Sequence, residues 1–287
     1  MELTLPITVY WDLPPNAPLD DRLLRCCHEI LECRPLMLQL YDPSEALGEG
    51  VQEILERFRG TPVALSLTIS HSSLPSIAGI QTALSGVKEL LIAHNTLKSL
   101  REIPPLSETG LAFFVNRTNW QDLPEVVSFC RERGISRLVL PMQRLYNGEV
   151  PFLLNRSEQE ILQNSLSAIG GVAGLRLTIH DPFLWRAFNP GIPFPQGGCQ
   201  AANTMIAIAS DWGVYPCPTL PERLGEIGRE TLKEIITSPA KKELRLRILE
   251  NPAACASCLE IAVCRGGCRG RSLVMHDSFD GIDDACR

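Results

Sequence analysis

The sequence has little of what marks a membrane, secreted or nucleic-acid-binding protein. No apolar run approaches the roughly 20 residues that a membrane-spanning helix needs. The first residues, MELTLPITVYW, lack a basic segment and carry a proline in their short apolar run, so we expect no secretory signal. Lys and Arg number 27 against 33 Asp and Glu, whereas a nucleic-acid surface needs clustered positive charge. We therefore expect a cytoplasmic protein with no nucleic acid and no membrane among its partners.

Common catalytic motifs are also missing. The chain has no G-x-S-x-G, no H-E-x-x-H and no phosphate-binding P-loop. Aromatic residues make up only 6% of the chain, and the four tryptophans are too widely spaced to indicate a stacking platform. The motifs therefore point to none of the common hydrolase, zinc-peptidase or P-loop classes.

Cysteine, in contrast, is abundant, with 11 residues in the chain. A reducing compartment does not keep ordinary disulfides, so thiols in this number need another explanation. Seven of the 11 follow residue 198, and these are Cys199, Cys217, Cys255, Cys258, Cys264, Cys268 and Cys286. The C-terminal region is therefore predicted to differ in kind from the rest.

The first 185 residues show a regular repeat of short apolar or β-branched runs. Most runs begin 22 to 31 residues after the previous one, which is the length of a strand, a helix and two loops. Near-continuous apolar strands are typical of a parallel sheet covered by helices. The predicted strands are residues 5–11, 36–41, 63–68, 89–93, 111–115, 137–141 and 175–180. This pattern predicts an α/β fold.

The intervening helices have recognisable ends and faces. Ser157 and Glu160 have the spacing of a capping box, and Gly134 stands where a left-handed residue would close a helix. Cys130 lies on the apolar face of that helix, and we expect an inert core thiol. Beyond residue 185, Pro and Gly are frequent, which predicts a boundary between residues 1–185 and residues 186–287. A hairpin over 201–216 and helices over 221–251, broken at Pro239, follow.

The spacing of the late cysteines indicates a metal site. In C-x2-C, as in Cys255 and Cys258, two thiolates on one tight turn can reach one metal centre. Seven thiols exceed what one four-coordinate zinc needs, so iron-sulfur clusters are the favoured interpretation, with zinc and unmetallated structural cysteines as alternatives. Glycines and arginines interleave with the thiols in CRGGCRGR, where backbone N–H groups and positive charge could stabilise an anionic cluster. They are Gly266, Gly267, Arg265, Arg269 and Arg271.

These cysteines, together with Gly213, resemble the seven-cysteine signature of SPASM domains, the auxiliary-cluster modules of radical SAM peptide maturases. One departure is visible, since three residues separate Gly213 from Cys217 where the family usually has four. The resemblance implies two [4Fe-4S] clusters. It assigns Cys199, Cys217 and Cys268 to the first cluster, and Cys255, Cys258, Cys264 and Cys286 to the second. The first cluster lacks a fourth ligand, and its iron could be open or could take His180, Asp181 or His276.

The resemblance also implies that the repeat is a degenerate, partial radical SAM-like (β/α) barrel. Radical SAM enzymes hold their catalytic cluster with C-x3-C-x2-C on a loop after the first strand. Here the thiols at that place are Cys26, Cys27 and Cys33, whose spacing with the apolar residues predicts a helix. The second strand ends in YDPSE, where the family has a GGE-type turn. We therefore expect no binding of S-adenosylmethionine and no catalytic residues.

The pattern as a whole resembles the SPASM domain proteins of GeoRSP peptide-modification systems. That resemblance implies a non-catalytic iron-sulfur accessory protein that relays electrons or docks a peptide or partner. The implied partners are a radical SAM/SPASM maturase, a PqqD-like peptide chaperone and a precursor peptide. Two alternatives stay open: a peptide-binding protein whose metals are only structural, and an unconventional enzyme that uses an open cluster iron.

Overall fold

A computed structural model describes residues 2–80, 84–101, 109–195 and 197–286. Its strands are β1 (Thr8–Asp12), β2 (Met37–Asp42), β3 (Ala64–Ser70), β4 (Val87–His94), β5 (Gly110–Phe113), β6 (Arg137–Leu140), β7 (Arg176–Ile179), β8 (Met205–Ile208), β9 (Gly213–Tyr215) and β10 (Gly225–Glu226).

Helices follow most of these strands. They are α1 (Asp21–Cys33), α2 (Glu49–Phe58), α3 (Leu97–Arg101), α4 (Leu123–Glu132), α5 (Arg156–Ala168), α6 (Pro182–Phe188), α7 (Leu232–Thr237), α8 (Pro239–Leu249), α9 (Ile261–Cys264) and α10 (Arg269–His276). Within the described residues, no helix is long and apolar enough to cross a membrane.

The chain packs as two compact units, each made of two chain segments. The first contains the described parts of residues 1–93 together with residues 200–245, and the second contains those of residues 94–199 and 246–287. The predicted boundary after residue 185 concerns where the cysteine-rich module starts, and it stays a prediction.

In the first unit, β1 lies in the middle of a sheet. It pairs in parallel with β2 on one side and with β8 on the other, so that Val9 lies between Leu38 and Ile206. The parallel order continues through β3 to β4, while β8, β9 and β10 pair antiparallel. Trp11 is fully buried beside Trp212, with ring centroids 6.1 Å apart. The C-terminal hairpin thus completes the packing around the first strand.

In the second unit, β5, β6 and β7 form a parallel sheet. Leu138 on β6 lies opposite Leu111 on β5 and Leu177 on β7. Helices α4 and α5 pack on a core that includes Phe113 and Cys130, both completely buried. All seven strands predicted from the sequence are therefore confirmed, each within a parallel ladder, and the predicted α/β fold is confirmed with them.

Several local predictions are also confirmed. Cys130 is an inert core thiol, Gly134 has the left-handed φ of 68°, and Pro239 begins a new helix after α7. The hairpin is present, with its turn at residues 209–212, where Trp212 has a φ of 66°.

The predicted capping box was wrong by two residues. Helix α5 begins after Asn155, whose side chain accepts the Glu158 N–H at 3.0 Å. The Glu158 carboxylate accepts the Asn155 N–H at 3.0 Å in return. Asn caps a helix as well as Ser does, so Asn155 with Glu158 satisfies the motif first, and Ser157 falls inside the first turn.

Candidate metal centre

The thiols of the C-terminal segment lie on short turns rather than on long elements. Cys258 donates its backbone N–H to the Cys255 carbonyl at 3.0 Å, which closes the tight turn expected of C-x2-C. Cys264 ends α9, and Cys268 immediately precedes α10. Thiols carried on short turns are typical of iron-sulfur sites.

Four of these thiols share one neighbourhood. Burial raises the pKa of Cys255, and the charge of Cys258 raises it further. Burial also raises the pKa of Cys286, followed by the charges of Cys258 and Cys255. The charge of Cys286 in turn adds to the raised pKa of the buried Cys264. Because such interactions weaken with distance, we define Cys255, Cys258, Cys264 and Cys286 as the outer thiol group.

A different pair of thiols lies deeper in the same unit. Burial raises the pKa of Cys268 to about 12, and Cys199 is among the neighbouring charges that raise it. We define Cys199 and Cys268 as the inner thiol pair. Cys217 is buried after β9 in the first unit, where its carbonyl accepts the Leu220 N–H at 3.3 Å.

Within the described residues, no three His, Cys, Asp or Glu side chains converge closely enough to hold a metal ion. The donor chemistry nevertheless fits a cluster, because five thiols occur within residues 255–286 and sulfur is the ligand that iron-sulfur clusters use. The thiols are neighbours, and ligation would require their side chains to turn toward a common centre.

The two glycines between Cys264 and Cys268 serve one of these sulfurs, as the sequence indicated. Arg265, Gly266 and Gly267 have consecutive positive φ angles of 51°, 90° and 73°. Hydrogen bonds from the backbone of Gly266 and Gly267 lower the pKa of the Cys264 thiol, against the larger effect of burial, which raises it. Such a concave run of N–H groups stabilises anions.

Replacing Gly267 with alanine is expected to destabilise the protein more than its backbone conformation alone explains. A left-handed residue with a Cβ costs about 1–2 kcal/mol. At Gly267 that Cβ would also lie 2.6 Å from Asp283 Oδ2 and 2.9 Å from a Phe183 ring carbon. Overpacking of this kind adds about 1–3 kcal/mol, which anaerobic urea unfolding measures.

Gly148→Ala is the matched control. Gly148 has nearly the same φ, 77°, but nothing lies within 4 Å of the added Cβ. Only the backbone contribution should therefore appear at Gly148. Equal losses of stability in the two variants would show that the close packing around Gly267 is unimportant.

A buried ion network holds the segments that carry the thiols. The Arg271 side chain is 3% exposed, and its Nε and Nη2 donate to Asp283 at 2.6 and 2.8 Å. Its Nη1 donates to Asp181 and to the Phe152 carbonyl. Burial opposes the charge of Arg271, but the Asp181 and Asp283 carboxylates raise the pKa of the guanidinium well above its usual value.

Asp283 links this network to both groups of thiols. Its Oδ2 accepts the Cys268 N–H at 2.7 Å, and its carbonyl accepts the Cys286 N–H at 2.8 Å. Its side chain is completely buried. Asp283 therefore fixes the backbone beside the inner thiol pair through its carboxylate and beside the outer thiol group through its carbonyl. Asp283 was not predictable from the sequence, because nothing in GIDDAC distinguishes it from Asp284.

Three residues are the candidates for the fourth ligand of the first cluster, and each has its own surroundings in the structure. Asp181 caps α6 by accepting the Phe183 and Leu184 N–H groups at 2.9 and 2.8 Å, and it also pairs with Arg271. His276 Nε2 lies 3.0 Å from the Ile282 carbonyl and 3.4 Å from Asp284 Oδ1. His180 directly follows β7. Asp181 is thus engaged structurally.

The three early cysteines lie inside the first unit. Cys26, Cys27 and Cys33 are all on α1, and each is at most 2% exposed. Burial raises the pKa of Cys27 to about 12 and that of Cys33 to about 11. The prediction that they lie on a helix is confirmed, and they pack in the core as small apolar groups.

Comparison with known proteins agrees with this site. Residues 199–259 match the model of the SPASM family, an iron-sulfur cluster-binding domain. The chain therefore carries a SPASM region, which includes Cys199, Cys217, Cys255 and Cys258. Comparison with curated protein sequences gave no significant match.

Among solved structures, the chain resembles Streptococcus suis SuiB bound to the precursor peptide SuiA. The identity is 16% and the TM-score 0.67, over 100% of this chain and 77% of SuiB. SuiB bound to S-adenosylmethionine gives a TM-score of 0.65 at 16% identity, over 100% of this chain and 78% of SuiB. Native anSMEcpe with bound AdoMet and the Cp18Cys peptide gives 0.62 at 15% identity, over 98% of this chain and 94% of the other. This chain therefore shares the fold of SuiB and anSMEcpe.

Proposed function

We propose that this chain is a non-catalytic iron-sulfur accessory protein of a peptide-modification system. The outer thiol group would hold the second cluster. The inner thiol pair would hold the first cluster together with Cys217, which the sequence resemblance assigns to that cluster. The observation that carries the proposal is the match of residues 199–259 to an iron-sulfur cluster-binding domain, in a chain with seven thiols after residue 198. The charge interactions among these thiols support their division into two groups. When bound, the clusters would supply electron transfer.

The proposed partners follow from the resemblance and from the fold. SuiB, which shares the fold, has been solved with a precursor peptide, and anSMEcpe with a peptide. We therefore propose a precursor peptide as one partner, and a radical SAM/SPASM maturase and a PqqD-like peptide chaperone as the others. The non-catalytic role rests on α1, because its three thiols are buried on a helix instead of being presented on one loop.

Anaerobically reconstituted protein is expected to contain about eight iron and eight sulfide ions per chain, as two [4Fe-4S] clusters require. Metal analysis, sulfide analysis and the visible absorption spectrum measure this directly. With a strong reductant, the loaded protein is expected to leave S-adenosylmethionine intact, because no thiol of α1 is available to bind a third cluster.

Each alternative gives a different result in the same preparation. Zinc in place of iron, or iron for one cluster only, would contradict the two-cluster proposal. Cleavage of S-adenosylmethionine, or turnover of a peptide by this chain alone, would contradict the non-catalytic role. Clusters that cannot be reduced would favour a purely structural function for the metals.

A further inference from the structure

The three arginines of CRGGCRGR have three different environments. Arg265 is exposed on the turn after Cys264. Arg271 is buried and bound by two carboxylates. Arg269 is equally buried, with only 1% of the residue exposed, but among the described residues it has no carboxylate partner of this kind. The sequence pattern alone did not distinguish them.

Arg269 has hydrogen-bond donors without acceptors. Its Nη2 donates to the Glu250 carbonyl at 3.3 Å, and the guanidinium lies 5.8 Å from the centre of the Phe279 ring. Its Nε and Nη1 are buried and have no acceptor among the residues that the structure describes. Burying unsatisfied donors of a charged group is strongly unfavourable, so these atoms point to a ligand that the chain itself does not provide.

The anionic groups around Arg269 come from both sets of thiols. Burial lowers the pKa of Arg269, and the neighbouring charges that raise it are, in order, Cys199, Cys255, Asp280 and Cys268. Cys199 and Cys268 are the inner thiol pair, and Cys255 belongs to the outer thiol group. The Asp280 carboxylate already accepts the Ala253 N–H at 2.6 Å. Asp280 bonds neither free donor, and the other three anionic groups are thiols, so sulfur atoms are the acceptors that we assign to these donors.

We propose that Arg269 is a redox-tuning residue shared by the two iron-sulfur centres, donating Nε–H and Nη1–H hydrogen bonds to sulfur atoms at both. This inference rests on the proposed function. Hydrogen bonds to sulfur and nearby positive charge stabilise the reduced, more negative form of a cluster. A single buried guanidinium beside both thiol groups would therefore raise both reduction potentials together.

The test is a redox titration of loaded protein, followed by electron paramagnetic resonance. In Arg269→Met, which keeps the length of the side chain without its charge, one-electron reduction of both clusters should become about tenfold less favourable. That change equals a decrease of about 59 mV in each midpoint potential. Arg269→Lys, which keeps the charge but loses the planar fork, should give smaller decreases. The exposed Arg265→Met is the matched control and should change neither potential.

A second measurement starts from the wild-type protein and uses Arg269→Lys as its comparison. Reduced wild-type protein with ¹⁵N-labelled arginine should show a hyperfine coupling between the cluster spin and guanidinium nitrogen, and the coupling should be absent in Arg269→Lys. Absence of the coupling in the wild type, or unchanged potentials in loaded Arg269→Met, would overturn the assignment. Failure of the wild type to load two clusters would instead overturn the proposed function.

Discussion

Replacing Asp283 with asparagine is expected to lower the free energy of unfolding by about 3–5 kcal/mol, because it leaves the buried charge of Arg271 poorly compensated. The amide side chain would have the same shape as the carboxylate, but only one oxygen where two now accept hydrogen bonds from Arg271, Cys268 and Ala285. Asp181 offsets part of the charge on the other side of Arg271. Anaerobic denaturant unfolding measures the loss.

The effect should extend to metal loading. The Asp283 carboxylate accepts the N–H of Cys268 and that of Ala285, which directly precedes Cys286, so the variant should retain less iron in both proposed clusters rather than in one. Glu260→Gln is the matched control, since Glu260 pairs with Arg186 at 2.5 Å but is 54% exposed. An exposed pair of this kind contributes about 0–1 kcal/mol. A loss as small for Asp283→Asn as for Glu260→Gln would contradict the role given to the buried network.

A second large effect is expected from single cysteine substitutions. Cys264→Ser should remove about half of the bound iron, because Cys264 belongs to the outer thiol group and each cluster holds half of the total. Cys268→Ser should remove the other half, because Cys268 belongs to the inner thiol pair. Iron and sulfide analysis of the reconstituted variants, with the visible spectrum, measures each loss.

Cys130→Ser supplies the control for this series. Cys130 is completely buried in the core of the second unit, where burial raises its pKa to about 12. The substitution should lower stability while leaving the iron content of the folded protein unchanged. Loss of clearly more than half of the iron in Cys264→Ser or in Cys268→Ser, with both clusters affected by one substitution, would contradict the division of the thiols into two groups.

The sequence was sufficient to predict the strands, because each is a short apolar run at a regular interval and a parallel sheet requires such runs. It was less reliable at the ends of helices. Asn155 with Glu158 and Ser157 with Glu160 both satisfy the capping-box spacing, and only the start of α5 in the structure distinguishes them. Local chemistry therefore predicted the elements better than it predicted their limits.

The site was predictable in its thiols but not in its supporting residues. Cysteines at these spacings carry a strong signal, whereas Asp283 and Arg271 depend on contacts that the folded chain creates. Arg271 reaches Asp181, which is 90 residues away in sequence. Arg269 and Arg271 are two positions apart. Carboxylates accept the hydrogen bonds of Arg271, whereas two donors of Arg269 have no acceptor among the described residues. No pattern in the sequence separates them.

The position of β8 beside β1 has a consequence for any attempt to divide the protein. Strand β8 pairs with one edge of β1, and β2 pairs with the other. The backbone groups of Thr8 to Trp11 therefore have strand partners on both sides only while residues 205–208 are present. A fragment that ends before the cysteine-rich region would expose the edge of β1 that pairs with β8. Uncovered strand flanks recruit other chains, so the N-terminal half would be expected to aggregate when produced alone.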